Sequence, residues 1–236
     1  MRAPVWHLHD SLPSTQDEAR RLAADGAPEG TVVRAARQTR GRGRAGRAWQ
    51  DPPGNLALSV LLRPGRPAGE AAHVGFVAGV ALCHALDSLL PGDAPEPRAK
   101  WPNDVLLDEK KVAGVLLEGG RDHIILGIGV NVAAAPPDLP ATALAAHGAT
   151  AGPGTVAETL LGRLAPWYDR WRREGLAGVR AAWLARAHGL GGPVRAIVDG
   201  TARTGTFAGL DADGALLLDA DGRRLRVLAG DVFFAT

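Results

Sequence analysis

The chain has 236 residues, 46% hydrophobic and 22% charged, the composition of an ordinary globular protein with room for one substantial core and a small appended domain. A formal net charge of +2 provides no overall basic field for nucleic acid, and the single cysteine, Cys83, excludes a disulfide within the chain, which suits the cytoplasm. No apolar run approaches the roughly 20 residues of a membrane span, and the start, Met1-Arg2-Ala3-Pro4-Val5-Trp6-His7, lacks the apolar stretch of a secretory signal.

In chain order, residues 7–10 read as a short extended segment. Ser14-Thr15-Gln16-Asp17-Glu18 then opens a helix reaching about Asp25, with Ser14 as N-cap and two acids in the first turn. Residues 31–36 are β-branched and apolar, predicting a strand that leads to Gln38 and the run Gly41-Arg42-Gly43-Arg44-Ala45-Gly46-Arg47-Ala48-Trp49. Three glycines and three arginines in nine residues make a poor packing surface. They make a good anion cradle: glycines let backbone N–H groups approach a guest, and guanidinium groups match carboxylate or phosphate oxygens. Gly41, Gly43 and Gly46 satisfy G-x-G-x-x-G, but Gln50-Asp51-Pro52-Pro53-Gly54 follows where a dinucleotide site needs a helix. No Gly-Lys-Ser/Thr follows for a Walker loop, and no basic surroundings support a nucleic-acid segment. A solvated loop without function fits the nine residues equally well, so a second motif has to decide.

Residues 56–62, apolar almost throughout, read as a strand buried on both faces. Helical spacing over 70–90 puts Val74, Val77, Ala81, Leu82 and Leu86 on one face before Pro91-Gly92 ends it; Cys83 falls in this run as a small buried hydrophobe. His73 and His84 are expected at surface or capping positions. The histidines show no ligand spacing, and no structural metal is predicted. Arg98 to Asp108 reads as strand, Pro102-Asn103-Asp104 corner and strand, joined by a turn at Glu109-Lys110-Lys111 to a strand over 112–118. Lys100, bounded by Ala99 and Trp101 at a strand end, is placed to meet an anion. Residues 124–130 form another strand, with Gly127 and Gly129 on one face leaving room for a ligand. Residues 133–153 read as a loop with a helical turn near 141–147. A helix over 155–173 follows, capped by Thr155 and kinked or divided at Pro166, with its tryptophans buried, and then a short helix over 179–187. From Gly191 onward, Asp199-Gly200, Asp213-Gly214 and Asp221-Gly222 separate short strands: five in about 45 residues, a small barrel.

The Arg/Gly run, Lys100-Trp101-Pro102-Asn103-Asp104, Lys111-Val112-Ala113-Gly114-Val115-Leu116-Leu117-Glu118 and Gly127-Ile128-Gly129-Val130-Asn131, in this order, resemble the biotin protein ligases from about Ser11 to the C-terminus. The resemblance implies an α/β (α+β) fold, with a mixed-sheet catalytic domain over 1–188 and an SH3-like barrel over 189–236. It implies the monofunctional type, since Ser14 comes too early for the DNA-binding domain some members carry. The implied chemistry is formation of biotinyl-5′-AMP from biotin and ATP, with Mg2+, and transfer to a lysine of a biotin carboxyl carrier protein. Lys100 and Arg44 would be catalytic, and with Arg42 would screen the two acids. Ser14, Thr15, Gln16, Gln38, Arg42, Gly43, Arg44, Lys100, Gly114 and Gly127 would bind biotin; Arg42, Arg44, Arg47, Trp49, Lys100, Asn103 and Asn131 would bind ATP or the adenylate. Gln16 departs from the family's frequent asparagine. Asp104 is read as orienting Lys100 or the Pro-Asn corner rather than as a base. No nucleic acid or membrane partner is implied, and a homodimer is left open. The alternatives are a lipoate or octanoate transferase of the same fold, or a non-catalytic nucleotide- or nucleic-acid-binding module.

Overall fold

The structure is a computed structural model and describes residues 1–198, 201–228 and 232–234. Seven strands form one mixed sheet: β1 (Val5–His9), β2 (Thr31–Ala35), β3 (Leu56–Leu62), β4 (Arg98–Lys100), β5 (Asp104–Leu107), β6 (Lys110–Gly119) and β7 (Ile124–Val130). Their spatial order is β1-β2-β3-β7-β6-β5-β4; β1 and β2 run parallel and the other neighbours antiparallel. The first strand thus begins two residues earlier than its sequence suggests. The β5–β6 turn falls at Asp108-Glu109 rather than at 109–111, because both residues take positive φ and close a two-residue hairpin without the usual glycine.

Helix α1 (Thr15–Ala24) covers one face, packing Ala19 and Ala23 on Val33, Leu61 and Ile125. Helix α2 (His73–Asp87) covers the other, with α3 (Pro153–Glu174) and α4 (Leu176–Ala185) behind it. Helices on both faces make every residue of β3 buried, the reason for its unbroken apolar run. Helix α2 is buried nearly all round, not along one stripe. His73, expected with His84 at a surface or capping position, opens α2 but is buried, and His84 is half-buried. Each accepts at Nδ1 from a tryptophan of α3: Trp171 Nε1 to His73 at 3.4 Å and Trp167 Nε1 to His84 at 3.2 Å. Cys83 is fully buried, and burial pushes its thiol up to about 12.

Helix α3 starts at Pro153 with Gly152 as N-cap, two residues before the expected Thr155, because proline suits a first helical position that needs no N–H. Pro166 does not divide it. Pro166 and Gly162, four residues before it, both lie on the exposed side, so the carbonyl left without its helical donor faces water.

Strands β8 (Pro193–Val198), β9 (Thr201–Leu210), β10 (Leu216–Ala220), β11 (Arg223–Val227) and β12 (Val232–Phe234) form a five-stranded antiparallel sheet in the order β11-β10-β9-β8-β12, the C-terminal SH3-like barrel. Asp221-Gly222 makes a two-residue turn with both φ positive, as its sequence predicts; Asp199-Gly200 lies outside the described residues. The barrel is rooted in the main body. Trp101 Nε1 donates to the Gly214 carbonyl at 3.2 Å, and residues 186–188 hydrogen-bond along β4, with Ala99 N to Arg186 O and His188 N to Ala99 O both 2.8 Å.

Candidate active site

Strand register sets one row of residues on the α1 side of the sheet: Leu61, Ser59 and Ala57 on β3, then Ile125, Gly127 and Gly129 on β7, then Glu118, Leu116 and Gly114 on β6. The first position of each triplet lies beside α1. Beyond the N-terminus of that helix the row turns to small residues around Leu116, and a cavity of about 780 Å3 opens there. Every residue assigned to biotin or ATP from the sequence borders it: Ser14, Thr15, Gln16, Gln38, Arg42, Gly43, Arg44, Arg47, Trp49, Lys100, Asn103, Gly114, Gly127 and Asn131.

The cavity floor is a chain of hydrogen bonds. Gln38 Oε1 accepts from the Thr15 backbone N–H at 2.9 Å and lies 3.2 Å from its hydroxyl, so Gln38, not Ser14, caps α1. Ser14 stands at the N-cap position, but its buried hydroxyl has no hydrogen-bond partner. The Ser59 hydroxyl lies 2.8 Å from Thr15 Oγ1 and 3.0 Å from Gln16 Oε1. Asp51 accepts from the Gln38 backbone N–H at 3.0 Å, and burial holds its carboxyl above the ordinary range.

The Arg/Gly loop folds over this floor as a narrow ribbon. Gly43 N donates to Arg47 O at 2.7 Å and Trp49 N to Gly41 O at 3.0 Å, with Ala45 and Gly46 both at positive φ at its tip. Arg44 Nη1 donates to Asn103 Oδ1 at 3.0 Å, tying the loop to the Pro-Asn corner. That corner follows a cis Trp101–Pro102 bond and is held by Asn103 Nδ2 donating to Val115 O at 2.9 Å. Arg42, expected to meet an anionic guest, is held here by protein carboxylates. It makes a two-pronged pair with Asp17 at 2.7 and 2.8 Å, and the Arg42 hydrogen bond, followed by that of Arg20, outweighs burial to hold Asp17 below the usual carboxylate range. The Trp49 indole fills the space over Gly129 and shares that over Gly114 with the end of the Lys111 side chain, while the Gln16 side chain fills that over Gly127, so these glycines make room for neighbouring side chains as well as bordering the cavity.

The sequence reading assigned Lys111 to a turn and gave it no role. It lies on β6, borders the cavity, places its ammonium 5.5 Å from the Trp49 ring centroid and pairs with Asp104 Oδ1 at 2.7 Å. Asp104, expected to orient Lys100 or the Pro-Asn corner, thus also pairs with Lys111. The position of Lys111 immediately before the 112–118 strand was the available signal. His188 also borders the cavity; burial, and next the charge of Lys100, hold its imidazole below its ordinary value. Asn131 is buried, with Nδ2 donating to Thr142 O at 3.1 Å and Oδ1 left without a hydrogen-bond partner. Asn55 fixes the turn beyond it, its Oδ1 accepting from the backbone N–H groups of Val132, Ala133 and Ala134.

Residues 8–131 match the Biotin/lipoate A/B protein ligase family, and residues 189–235 the Biotin protein ligase C terminal domain. A biotin–(acetyl-CoA-carboxylase) ligase of Paracoccus denitrificans is 42% identical over 234 residues, covering 94% of this chain and 97% of that protein. The structure of a biotin protein ligase from Aquifex aeolicus in complex with biotin and ATP superposes with a TM-score of 0.85 at 29% identity, covering 100% of both chains. The Leishmania major biotin protein ligase in complex with biotinyl-5-AMP gives a TM-score of 0.70 at 26% identity, covering 97% of this chain and 100% of that one.

Proposed function

This chain belongs to the biotin protein ligase family, and we propose that it joins biotin to ATP as biotinyl-5′-AMP, releasing pyrophosphate, then passes the biotinyl group to one lysine amine of a biotin carboxyl carrier domain, forming an amide and releasing AMP. The observation that carries this reading is the convergence of cations from three separate segments, Arg44, Lys100 and Lys111, on one cavity whose floor is neutral and hydrogen-bonding. Two acids must meet for the first step. Carboxylate and α-phosphate repel each other, and fixed cations in a partly dry cavity screen that repulsion and stabilise the charge that builds as the carboxylate oxygen attacks phosphorus. Lys111, oriented by Asp104, and Lys100 supply compact ammonium groups, while Arg44 closes the loop from above.

The ureido head suits the floor. Ser14, with its hydroxyl seeking a partner, together with Thr15, Gln16 and Gln38, offers donors and acceptors that a head group lacking N–H groups would leave unpaired. Gly127 and Gly114 admit the apolar remainder of biotin. Trp49, Arg47, Asn103 and Asn131 border the part of the cavity assigned to the adenylate. For the Mg2+ expected with ATP, Asn131 Oδ1 is an orphaned buried acceptor of the right chemistry. Among the described residues no three His, Cys, Asp or Glu side chains cluster to hold a metal alone, so phosphate oxygens and water would complete the shell.

In the second step the acceptor amine, with an ordinary pKa near 10.4, must lose its proton before attacking the mixed anhydride. Closure of the Arg/Gly loop through the Arg44–Asn103 bond keeps water from that anhydride meanwhile. With this reading goes a division of the chain after residue 188 into catalytic part and barrel, supported by the start of the C-terminal match at 189. Pyrophosphate release from ATP with biotin, with lipoate or with neither tests the proposal. Release that depends on biotin alone is expected; dependence on lipoate, or no turnover with either acid, overturns it.

A further inference from the structure

Glu118 lies outside the cavity lining, on β6 beside Ile125, yet its carboxylate collects donors from three places. Oε2 accepts from Gln16 Nε2 at 3.2 Å and Arg20 Nη2 at 2.5 Å; Oε1 lies 3.5 Å from Arg42 Nη2. Gln16 is the buried member of this set. Its side chain packs over Gly127, where an added Cβ would stand 2.9 Å from Gln16 Cδ, so the amide has little room to swing aside.

The two ends of a glutamine amide have nearly the same shape, and their partners decide which points where. The Ser59 hydroxyl on one side can donate or accept. The Glu118 carboxylate on the other can only accept, so it fixes the Gln16 N–H toward itself and the carbonyl toward Ser59. That choice makes the Ser59 hydroxyl a donor to Gln16 and therefore an acceptor toward the Thr15 hydroxyl, while Gln38 Oε1 is fixed separately by the Thr15 backbone N–H. The same carboxylate, with Asp17, receives Arg42 at the root of the Arg/Gly loop.

We propose that Glu118 is a positioning residue of the biotin-activating site: without touching substrate, it fixes the hydrogen-bonding pattern of the head-group floor and tethers the Arg/Gly loop to that floor. This rests on the biotin reading above. The test is pyrophosphate exchange by the full chain with biotin and ATP varied separately, for wild type, Glu118→Ala and Glu118→Gln. Loss of a charge-assisted acceptor predicts that KM for biotin rises about tenfold in the alanine variant and about threefold in the glutamine variant, whose amide no longer dictates direction. KM for ATP should rise less than KM for biotin, and kcat should stay within about twofold, since Glu118 reaches the nucleotide side only through its longer 3.5 Å approach to Arg42. Equal rises in both KM values, or KM for biotin unchanged in both variants, overturn the proposal; if the alanine variant does not fold, the isosteric glutamine variant decides alone. A wild-type enzyme whose exchange ignores biotin would instead refute the functional reading, before any variant is made.

Discussion

The Trp49 indole occupies the space that a side chain on Gly129 would need: a Cβ there would stand 2.4 Å from ring atoms Cε2 and Cζ2. Gly114, its register partner on β6, completes the slot, with its own Cβ position 3.2 Å from Cζ3. Gly129→Ala is expected to expel the ring and, with it, the end of the Arg/Gly loop. Since displacements of about 1 Å in a positioned site cost on the order of a hundredfold, kcat/KM for biotin-dependent pyrophosphate exchange should fall at least tenfold. Exchange at the wild-type rate would show that the ring can leave the slot without consequence.

The Arg44 side chain is strapped to the Pro-Asn corner by its hydrogen bond to Asn103. Replacing it by glycine removes both the strap and a cation over the cavity, so the adenylate should escape faster. The measurement is the rate of biotinyl-5′-AMP release from a preloaded enzyme, expected to rise about tenfold or more. A release rate equal to wild type would count against the loop as a lid.

Lys111 is the cation the structure adds beside Lys100 and Arg44, the pair inferred as catalytic from sequence. Lys111→Met should lower the exchange rate by about a hundredfold, as loss of one preorganised charge-stabilising group does elsewhere. Asp104→Asn, which leaves the ammonium in place but loosens it, should cost nearer tenfold. Activity in Lys111→Met with loss in Lys100→Met would assign the screening role to Lys100 instead.

Stability should fall on mild acidification. Burial, the leading cause, holds the imidazole of His73 below its ordinary value of 6.5, and burial does the same for His84 and His188. The unfolded chain therefore binds protons below about pH 6.5 that the folded chain resists, so the stabilisation is fully present above that pH and is lost as pH drops through the folded values. The melting temperature at pH 5.5 should lie several degrees below that at pH 7.5, and His73→Gln should shrink the difference. An identical difference in that variant would remove His73 from the account.

Local chemistry made most of the fold legible. The β-branched run of β2, the apolar run of β3 and the Asp221-Gly222 turn each announce their geometry within a few residues. What stayed hidden depends on partners distant in sequence. Ser14 looks like a cap because serine usually is one, but Gln38, 23 residues beyond Thr15, takes that N–H instead. His73 and His84 look like surface residues until tryptophans 98 and 83 residues away donate to them. The cavity residues were legible because they fall in short motifs. Lys111, Ser59 and Glu118 were given no role because their importance lies in what strand pairing sets beside them.

The anchoring of the C-terminal barrel bears on how far the first part of the chain can stand alone. Cutting before Gly189 would strip the Gly214 carbonyl from the Trp101 indole and uncover Gly214's neighbour Phe76, while any cut before Arg186 would also bare the outer border of β4. A shortened chain would therefore carry an unsatisfied indole N–H one residue from Lys100 and a new greasy surface. Loss of activity after such trimming would report damage to the remaining half as readily as any duty of the missing one.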